Sequence, residues 1–313
     1  MGKPIEYNAT LEKRDDHTDA LTTFKIVPDE PFEADPMFVP GQYTTLGLNN
    51  EEKPDLGSVK RAMSIASAPE KEGPLEFYIR YVSRPESDNP LTHLLWKLAD
   101  GDRVWMRTKA VGKFTVPHTI DPSDERMRIL VAAGTGLAPC TSMVRSDKIR
   151  DDACDLSNYA ILHGASYPDD LGYREELEAL SASNRLHYRC SVSRPNEAPD
   201  WKGDSGRVED YFKPERIEEL EASLGFGPGE MRPDRAVIYI CGLTGTITQT
   251  ILRLLDRGFI PDDKKIRRAL EVPEDLASNV FYEQYDTEPV IDIKDPEVVE
   301  PLKDRMQKAL ATR

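Results

Sequence analysis

The chain has 313 residues, of which 39% are hydrophobic and 31% charged, and its formal net charge is −15 at pH 7. This length favours two domains of roughly 100–200 residues each, and the sequence has no run of about 18 apolar residues that would span a membrane. The acidic balance argues against a nucleic-acid-binding protein, because such a protein needs cations to neutralise phosphates.

The cysteines indicate a reducing compartment and give no sign of a metal site. Cys140, Cys154, Cys190 and Cys241 are widely spaced and form no CxxC pair, so neither a zinc ribbon nor a Cys-ligated iron–sulfur cluster is expected. The N-terminal residues contain no apolar segment typical of a secretory signal. We therefore expect a cytoplasmic protein without a metal centre.

Short alternating segments dominate residues 1–122. They read TTFKIVP, GQYTTLGL, RAMSIASAP, LEFYIRYV and DRVWMRT, and glycines and prolines separate them. Period-2 alternation with β-branched and aromatic residues predicts strands. The segment PLTHLLWKLA has leucines at helical spacing instead. An antiparallel barrel or sandwich of about six strands is therefore expected here.

The pattern changes after residue 122. MRILVAA, YAILHGAS, LHYRCSVS and RAVIYICG are apolar segments that alternate with helix-like ones. Strand and helix in alternation predict a parallel sheet covered on both faces. We expect this α/β domain, with five parallel strands, over residues 123–286. Residues 287–313 would be an extension made of a linker and one charged amphipathic helix.

Three strand ends carry residues suited to binding a phosphorylated ligand. GTG (134–136) follows one strand, although Pro139 replaces the third glycine of GxGxxG. Cys241 and Gly242 follow another strand. Ser193, Arg194 and Arg207 follow a third and could clamp a phosphate. Each signal alone is weak, because a tight turn, a small buried cysteine or exposed arginines would look the same.

The order of these segments resembles the ferredoxin–NADP reductase family, most closely its bacterial ferredoxin/flavodoxin branch. The matching segments are GQYTTLGL, RAMSIASAP, FYIRYV, NPLTHLL, GDRV with GKFTV, AGTGLAP, HGAS, SVSR with GR, YICGLTG and FYEQY. They extend from about residue 5 to Tyr285, about nine-tenths of the chain. The resemblance implies an FAD-binding, six-stranded antiparallel Greek-key barrel followed by an NADP-binding α/β domain.

The family's flavin motif RxYS is similar to RAMS here. By that match Arg61 would pair with the FAD pyrophosphate, Ser64 would bond flavin N5, and Leu91 and Thr92 would hold the diphosphate. The FAD contacts that the resemblance implies are Arg61, Ala62, Met63, Ser64, Tyr78, Ile79, Leu91, Thr92, Thr135 and Tyr285.

The same resemblance implies which residues bind NADP. Cys241 would lie beside the nicotinamide, Glu283 and Tyr285 would close the other face of the flavin, and Arg194 with Arg207 would read the 2′-phosphate of NADP. The implied NADP contacts are Gly134, Thr135, Gly136, Ser193, Arg194, Arg207, Cys241 and Gly242. The implied catalytic residues are Ser64, Cys241, Glu283 and Tyr285.

This sequence departs from the family pattern in three places. Met63 occupies the place of the aromatic residue in RxYS, and Ser166 occupies the place of the arginine in the family's HGxR segment. The chain also continues for about 28 residues beyond Tyr285, where the family usually ends. That tail is either a helix packed on the surface or at a subunit contact, or a lid over the flavin.

The resemblance implies an FAD-dependent oxidoreductase that exchanges electrons between NADP(H) and ferredoxin or flavodoxin. Two alternatives stay open: a reductase component serving an oxygenase, ferric or quinone acceptor, and a flavin-holding subunit with weak turnover. The basic segment KKIRR is either a docking patch for an acidic carrier or a solvated helix face. Its candidate docking residues are Lys264, Lys265, Arg267 and Arg268.

Overall fold

The computed structural model describes residues 4–32, 34–151 and 155–312. Its strands are β1 (Ala9–Thr18), β2 (Leu21–Pro28), β3 (Tyr43–Asn49), β4 (Ser58–Ser64), β5 (Leu75–Arg80), β6 (Arg103–Met106), β7 (Met127–Ala133), β8 (Tyr159–Ala165), β9 (His187–Val192), β10 (Asp204–Ser205), β11 (Ala236–Gly242) and β12 (Val280–Gln284). Its helices are α1 (Leu91–Leu95), α2 (Val116–Thr119), α3 (Leu137–Arg150), α4 (Arg174–Asn184), α5 (Ile217–Ser223), α6 (Thr244–Leu254), α7 (Lys264–Ala269) and α8 (Pro296–Ala311).

The chain divides into two compact units. The first consists of Met1–Ile120 and Leu137–Cys154, and the second of Asp121–Gly136 and Asp155–Arg313. Helix α3 therefore belongs with the first unit, although β7, which precedes it, belongs with the second. The domain limits 1–122, 123–286 and 287–313 stay a prediction about functional units. Cys154 lies outside the described residues.

The first unit is built on an antiparallel sheet. Within the described residues it has six strands in the order β4-β3-β6-β1-β2-β5. Ala66, just after β4, donates its N–H to the Glu76 carbonyl of β5 at 2.8 Å, which joins the two ends of the strand order. Alternate residues such as Phe24, Leu46 and Phe77 are fully buried in its core. The predicted Greek-key barrel is confirmed.

The second unit is built on a parallel sheet in the order β10-β9-β8-β7-β11-β12. In the part of the chain that is described it has six strands, one more than expected, because the two-residue strand β10 pairs with β9. The apolar strand residues and the helices on one face form a single core, to which Ile240, Ile251 and Met306 contribute. The predicted α/β architecture is confirmed.

No helix in the described part of the chain combines the length and the apolar character needed to cross a bilayer.

Candidate functional site

The GTG turn follows β7 and packs against the end of the neighbouring strand β11. Gly134 has φ 55°, in the left-handed region, and a Cβ built on it would meet nothing within 4 Å. A Cβ on Gly136 would lie 2.0 Å from the backbone oxygen of Cys241. The turn therefore needs glycine at position 136 for packing, while the space beside Gly134 is open.

Cys241 is the last residue but one of the buried strand β11 and is paired with strands on both sides. Its neighbours in the two ladders are Ala132 of β7 and Glu283 of β12. The side chain is fully buried, so the predicted nicotinamide contact would involve the backbone here rather than an exposed thiol. Glu283 is half-buried.

Tyr285 follows β12 and joins the two turns. Its N–H donates to the Gly242 carbonyl at 3.2 Å, and its hydroxyl donates to the Thr135 carbonyl at 3.2 Å. The side chain is 42% exposed. The ends of β7, β11 and β12 thus bring Thr135, Gly242 and Tyr285 together at one edge of the sheet, where open α/β sheets bind ligands.

Asp286 fixes the segment that carries Tyr285, and sequence reasoning missed it. Its carboxylate accepts the Thr244 N–H at 2.9 Å at the start of α6, and it accepts the Gln284 side-chain amide at 2.6 Å. Partial burial raises the pKa of Asp286, but the hydrogen bonds from Gln284 and Thr244 hold it below its usual value. Aspartate is a residue type that commonly caps helix N-termini. Asp286 lies 42 residues after Thr244 in the sequence, however, so its sequence position did not point to α6.

The predicted 2′-phosphate readers lie farther along the same edge. Val192 of β9 pairs with Ser205 of β10, so the residues that follow, Ser193 with Arg194 and Arg207, leave the sheet side by side. All three of these are exposed. Because β9 is two strands and β10 three strands from β7 in the strand order, the loops that carry Arg194 and Arg207 leave the sheet about 10 Å and about 14 Å from the GTG turn.

Strand β4 carries the predicted flavin motif at one end of the antiparallel sheet. Arg61 and Ala62 are exposed, whereas Met63 and Ser64 are half-buried. Side chains alternate along a strand, so Arg61 and Met63 share one face of β4. Met63 also packs against the barrel core.

Four more of the predicted flavin contacts, on β5 and α1, are buried. Tyr78 is 3% and Ile79 is 4% exposed, and Ile79 belongs to the barrel core. Leu91 is 2% and Thr92 7% exposed, and the Thr92 hydroxyl accepts the Val82 N–H at 3.4 Å. Contacts of Ile79 and Leu91 with a ligand would therefore use backbone atoms, such as the Leu91 N–H at the start of α1.

Helix α3 supports the segment that follows the flavin motif. Ser142 donates its hydroxyl to the Ser67 carbonyl at 2.7 Å. Arg145 donates to the Ala66 carbonyl at 2.9 Å and to the Glu76 carboxylate at 2.8 Å. These polar contacts, which were not predicted, fix the turn after Ser64 through residues that lie more than 60 positions away in the sequence.

The basic segment KKIRR forms the short helix α7. The Asp263 side chain caps it by accepting the N–H groups of Lys265 and Ile266. Lys264, Lys265 and Arg268 are exposed.

Arg267 differs from these cations because its guanidinium is engaged within the chain. It donates to the Ser278 hydroxyl at 2.7 Å, to the Pro273 carbonyl at 3.0 Å and to the Leu276 carbonyl at 2.7 Å. Arg267, one of the four cations predicted for docking, therefore stabilises the loop 273–278.

Comparison with known proteins finds both ferredoxin–NADP reductases and electron transfer components of oxygenases among the relatives. The family model for the oxidoreductase NAD-binding domain matches residues 130–250. Ferredoxin–NADP reductase B of Sorangium cellulosum is 35% identical over 206 residues, which are 64% of this chain and 73% of that protein. The xylene/toluene monooxygenase electron transfer component XylA of Pseudomonas putida is 29% identical over 219 residues, 67% of this chain and 54% of that protein.

A solved structure has the same fold. It is a ferredoxin NADP+ reductase from Neisseria gonorrhoeae with bound FAD and NADP, with a TM-score of 0.68 and 22% sequence identity. The match covers 89% of this chain and 98% of that chain. The order of barrel and parallel sheet is therefore shared over most of both chains.

Proposed function

The chain belongs to the ferredoxin–NADP reductase family, and from that premise we propose that it is an FAD-dependent oxidoreductase exchanging electrons between NADP(H) and a small one-electron carrier, ferredoxin or flavodoxin. The observation that carries this proposal is the meeting of Thr135, Gly242 and Tyr285 at the carboxyl edge of the parallel sheet. We propose the cytoplasm as its compartment, because the four cysteines are widely spaced and form no CxxC pair.

The residues at this edge fit a phosphorylated dinucleotide. The space beside Gly134 is open, and α3 begins directly after the turn, where a helix N-terminus would favour a phosphate. Gly134, Thr135 and Gly136 would line the pyrophosphate and nicotinamide. Arg194 and Arg207, with Ser193, supply the exposed donors that a 2′-phosphate needs.

The first unit offers groups suited to FAD. Arg61 is exposed on β4, and its fork of donors fits a pyrophosphate. Ser64 ends the same strand and would bond flavin N5. Met63 would contact the ring by its thioether instead of an aromatic face, which is worth about 0.3–1.5 kcal/mol.

Hydride transfer between nicotinamide and flavin is the chemistry that the bound cofactors supply. The task of this chain is placement. The Tyr285 hydroxyl is bonded to the Thr135 carbonyl, so this side chain would have to leave before a nicotinamide could reach Thr135. Ser64, Cys241 and Glu283 would orient the rings and hold or relay a proton.

We propose α7 as the docking site for the carrier. Lys264, Lys265 and Arg268 are exposed cations, and no ion pair within the described residues neutralises them. Complementary charge would steer an acidic carrier to this helix.

A reductase component serving an oxygenase is the second candidate function. It is favoured by the similarity to XylA, although the chain spans only about half of that protein's length. Such an enzyme would reduce a dye with NADPH or NADH but would gain nothing from ferredoxin or flavodoxin.

Steady-state reduction of cytochrome c separates the two candidates. We expect the FAD-loaded enzyme to use NADPH at a kcat/KM at least about tenfold above that for NADH, because two arginines are available for the 2′-phosphate. Ferredoxin or flavodoxin should raise the rate of cytochrome c reduction. Rapid dye reduction that neither carrier stimulates would contradict the carrier assignment and favour the oxygenase component.

A further inference from the structure

Tyr167 and Arg194 lie in adjacent loops that leave the sheet at neighbouring strands. β8 ends at Ala165 and β9 at Val192. The loops are joined by backbone hydrogen bonds, from the Ser193 N–H to the Ala165 carbonyl at 2.9 Å and from the Arg194 N–H to the Ser166 carbonyl at 3.1 Å. The backbone of Arg194 is therefore tied to the strand end that carries Tyr167.

The side chains of the two residues are also joined. Arg194 Nη1 donates to the Tyr167 hydroxyl at 2.7 Å, and its guanidinium carbon lies 5.4 Å from the centre of the Tyr167 ring. The Tyr167 hydroxyl in turn donates to Glu197 Oε2 at 2.8 Å. Glu197 lies close to Tyr167 because the turn Pro195–Glu197 folds back on Arg194: the Glu197 N–H donates to the Arg194 carbonyl at 3.2 Å.

This arrangement fixes the orientation of the Arg194 guanidinium but leaves most of its hydrogen-bond donors unused. Arg194 makes no salt bridge within the described residues, and the one nitrogen bonded to Tyr167 leaves the other donors of the fork for a ligand. Burying the guanidinium against a carboxylate would neutralise it, whereas a phenol ring and hydroxyl orient it and leave its charge available.

Arg207 lacks a comparable support. Its side chain is 72% exposed, and its nearest carboxylate oxygen, on Glu209, is 3.9 Å from Nη1. Ser166, beside Tyr167, contributes no cation. Of the two arginines at this edge, Arg194 is thus the one whose geometry is set before a ligand arrives, and preorganisation of that kind raises affinity by lowering the ordering cost of binding.

We propose that Tyr167 is a positioning residue for Arg194 and, through it, a determinant of the preference for a 2′-phosphorylated nucleotide. This inference rests on the proposed function, in which Arg194 reads the 2′-phosphate. Tyr167 is not required to touch the nucleotide. It acts by holding the arginine in the orientation that its hydroxyl, its ring and Glu197 together define.

The test compares two ligands by titration calorimetry, adenosine 2′,5′-bisphosphate and adenosine 5′-monophosphate. Tyr167→Phe keeps the ring and removes both hydroxyl contacts. It should weaken binding of the bisphosphate about fivefold and binding of the monophosphate less than about twofold, since only the former uses the positioned arginine. KM for NADPH should rise by a similar factor with kcat little changed, and KM for NADH should stay the same.

Arg194→Ala separates failure of this inference from failure of the proposed function. If it leaves the ratio of the two affinities unchanged, Arg194 is not a 2′-phosphate reader and the nucleotide assignment itself is wrong. If it lowers the bisphosphate affinity while Tyr167→Phe does not, only the positioning role is overturned.

The double variant Tyr167→Phe/Arg194→Ala completes a double-mutant cycle. A positioning residue that acts only through Arg194 should add no further loss to that of Arg194→Ala. Equal weakening of both ligands by Tyr167→Phe, or an additive loss in the double variant, would contradict the proposal because it would indicate a general structural role.

Discussion

His163 is a buried histidine that the proposed reaction does not use. It lies on β8, is fully buried, and shares a hydrogen bond of 3.1 Å between Nδ1 and the Tyr188 hydroxyl. Its Nε2 is buried without a hydrogen-bond partner in the part of the chain that the structure describes. Burial lowers the pKa of His163 to about 3, so the ring is neutral at pH 7.

This burial predicts a loss of stability in mild acid. The unfolded chain binds a proton at His163 near pH 6.5, whereas the folded protein does so only near pH 3. The contribution of the neutral ring is therefore fully present above pH 6.5 and is lost progressively as the pH falls toward 3. Between pH 7 and pH 5, wild type should lose about 2 kcal/mol more of its unfolding free energy than His163→Gln does.

Urea unfolding of both proteins at a series of pH values measures the difference. Parallel curves for wild type and His163→Gln would contradict the assignment of a depressed pKa to His163.

At single positions, the sequence predicted those residues whose role follows from the local backbone conformation. Gly134 and Gly136 are recognisable because a turn after a strand needs glycine. Tyr167 and Asp286 were missed because their roles depend on partners 27 and 42 residues away, Arg194 and Thr244. Arg267 looked equivalent to its neighbours, since the sequence does not show which cation meets the loop 273–278.

At the level of elements, periodicity identified the main strands because each alternates or is continuously apolar. It could not place α3 with the first unit, since the contacts of α3 with that unit include pairs distant in sequence, such as Arg145 with Glu76. Nor could it identify β10, because two residues carry no period. The helix expected in the tail is present as α8.

Helix α8 packs as a structural part of the second unit. Met306 is fully buried and Leu302 is 7% exposed in the same core as the parallel sheet. Arg305 donates to Asp256 at 2.8 Å. Gln307 donates to the Leu270 and Glu271 carbonyls at 3.0 Å, next to the C-terminal end of α7. These contacts favour a structural role for the tail over a lid.

We expect Leu302→Ala to destabilise the protein by about 2–4 kcal/mol, because it leaves a cavity where α8 meets the core. Dye reduction by NADPH at saturating substrate should be nearly unchanged at a temperature where the variant is folded. Urea unfolding and dye reduction are the two measurements, and Val298→Ala, an exposed position on the same helix, is the matched control. Altered turnover with unchanged stability would indicate a lid instead.

For the molecule as a whole, net charge and local charge oppose each other. The chain carries −15 overall, which repels an acidic carrier at long range. Lys264, Lys265 and Arg268 of α7 would attract it at short range. Added salt weakens the long-range repulsion before the short-range attraction, because the Debye length is about 10 Å at 0.1 M ionic strength. We therefore expect kcat/KM for ferredoxin to rise with added salt, pass through a maximum and then fall.

Charge reversal on α7 tests this balance. Replacing Lys264, Lys265 and Arg268 by Glu should lower kcat/KM for ferredoxin about tenfold near 0.1 M salt and convert the maximum into a continuous rise, because only repulsion remains to be screened. NADPH-dependent dye reduction should hardly change. The control replaces three other exposed lysines by Glu and reaches the same net charge; its positions are Lys71, Lys294 and Lys308. It should keep the maximum, and a loss of kcat/KM equal to that of the α7 variant would show that net charge, not α7, governs docking.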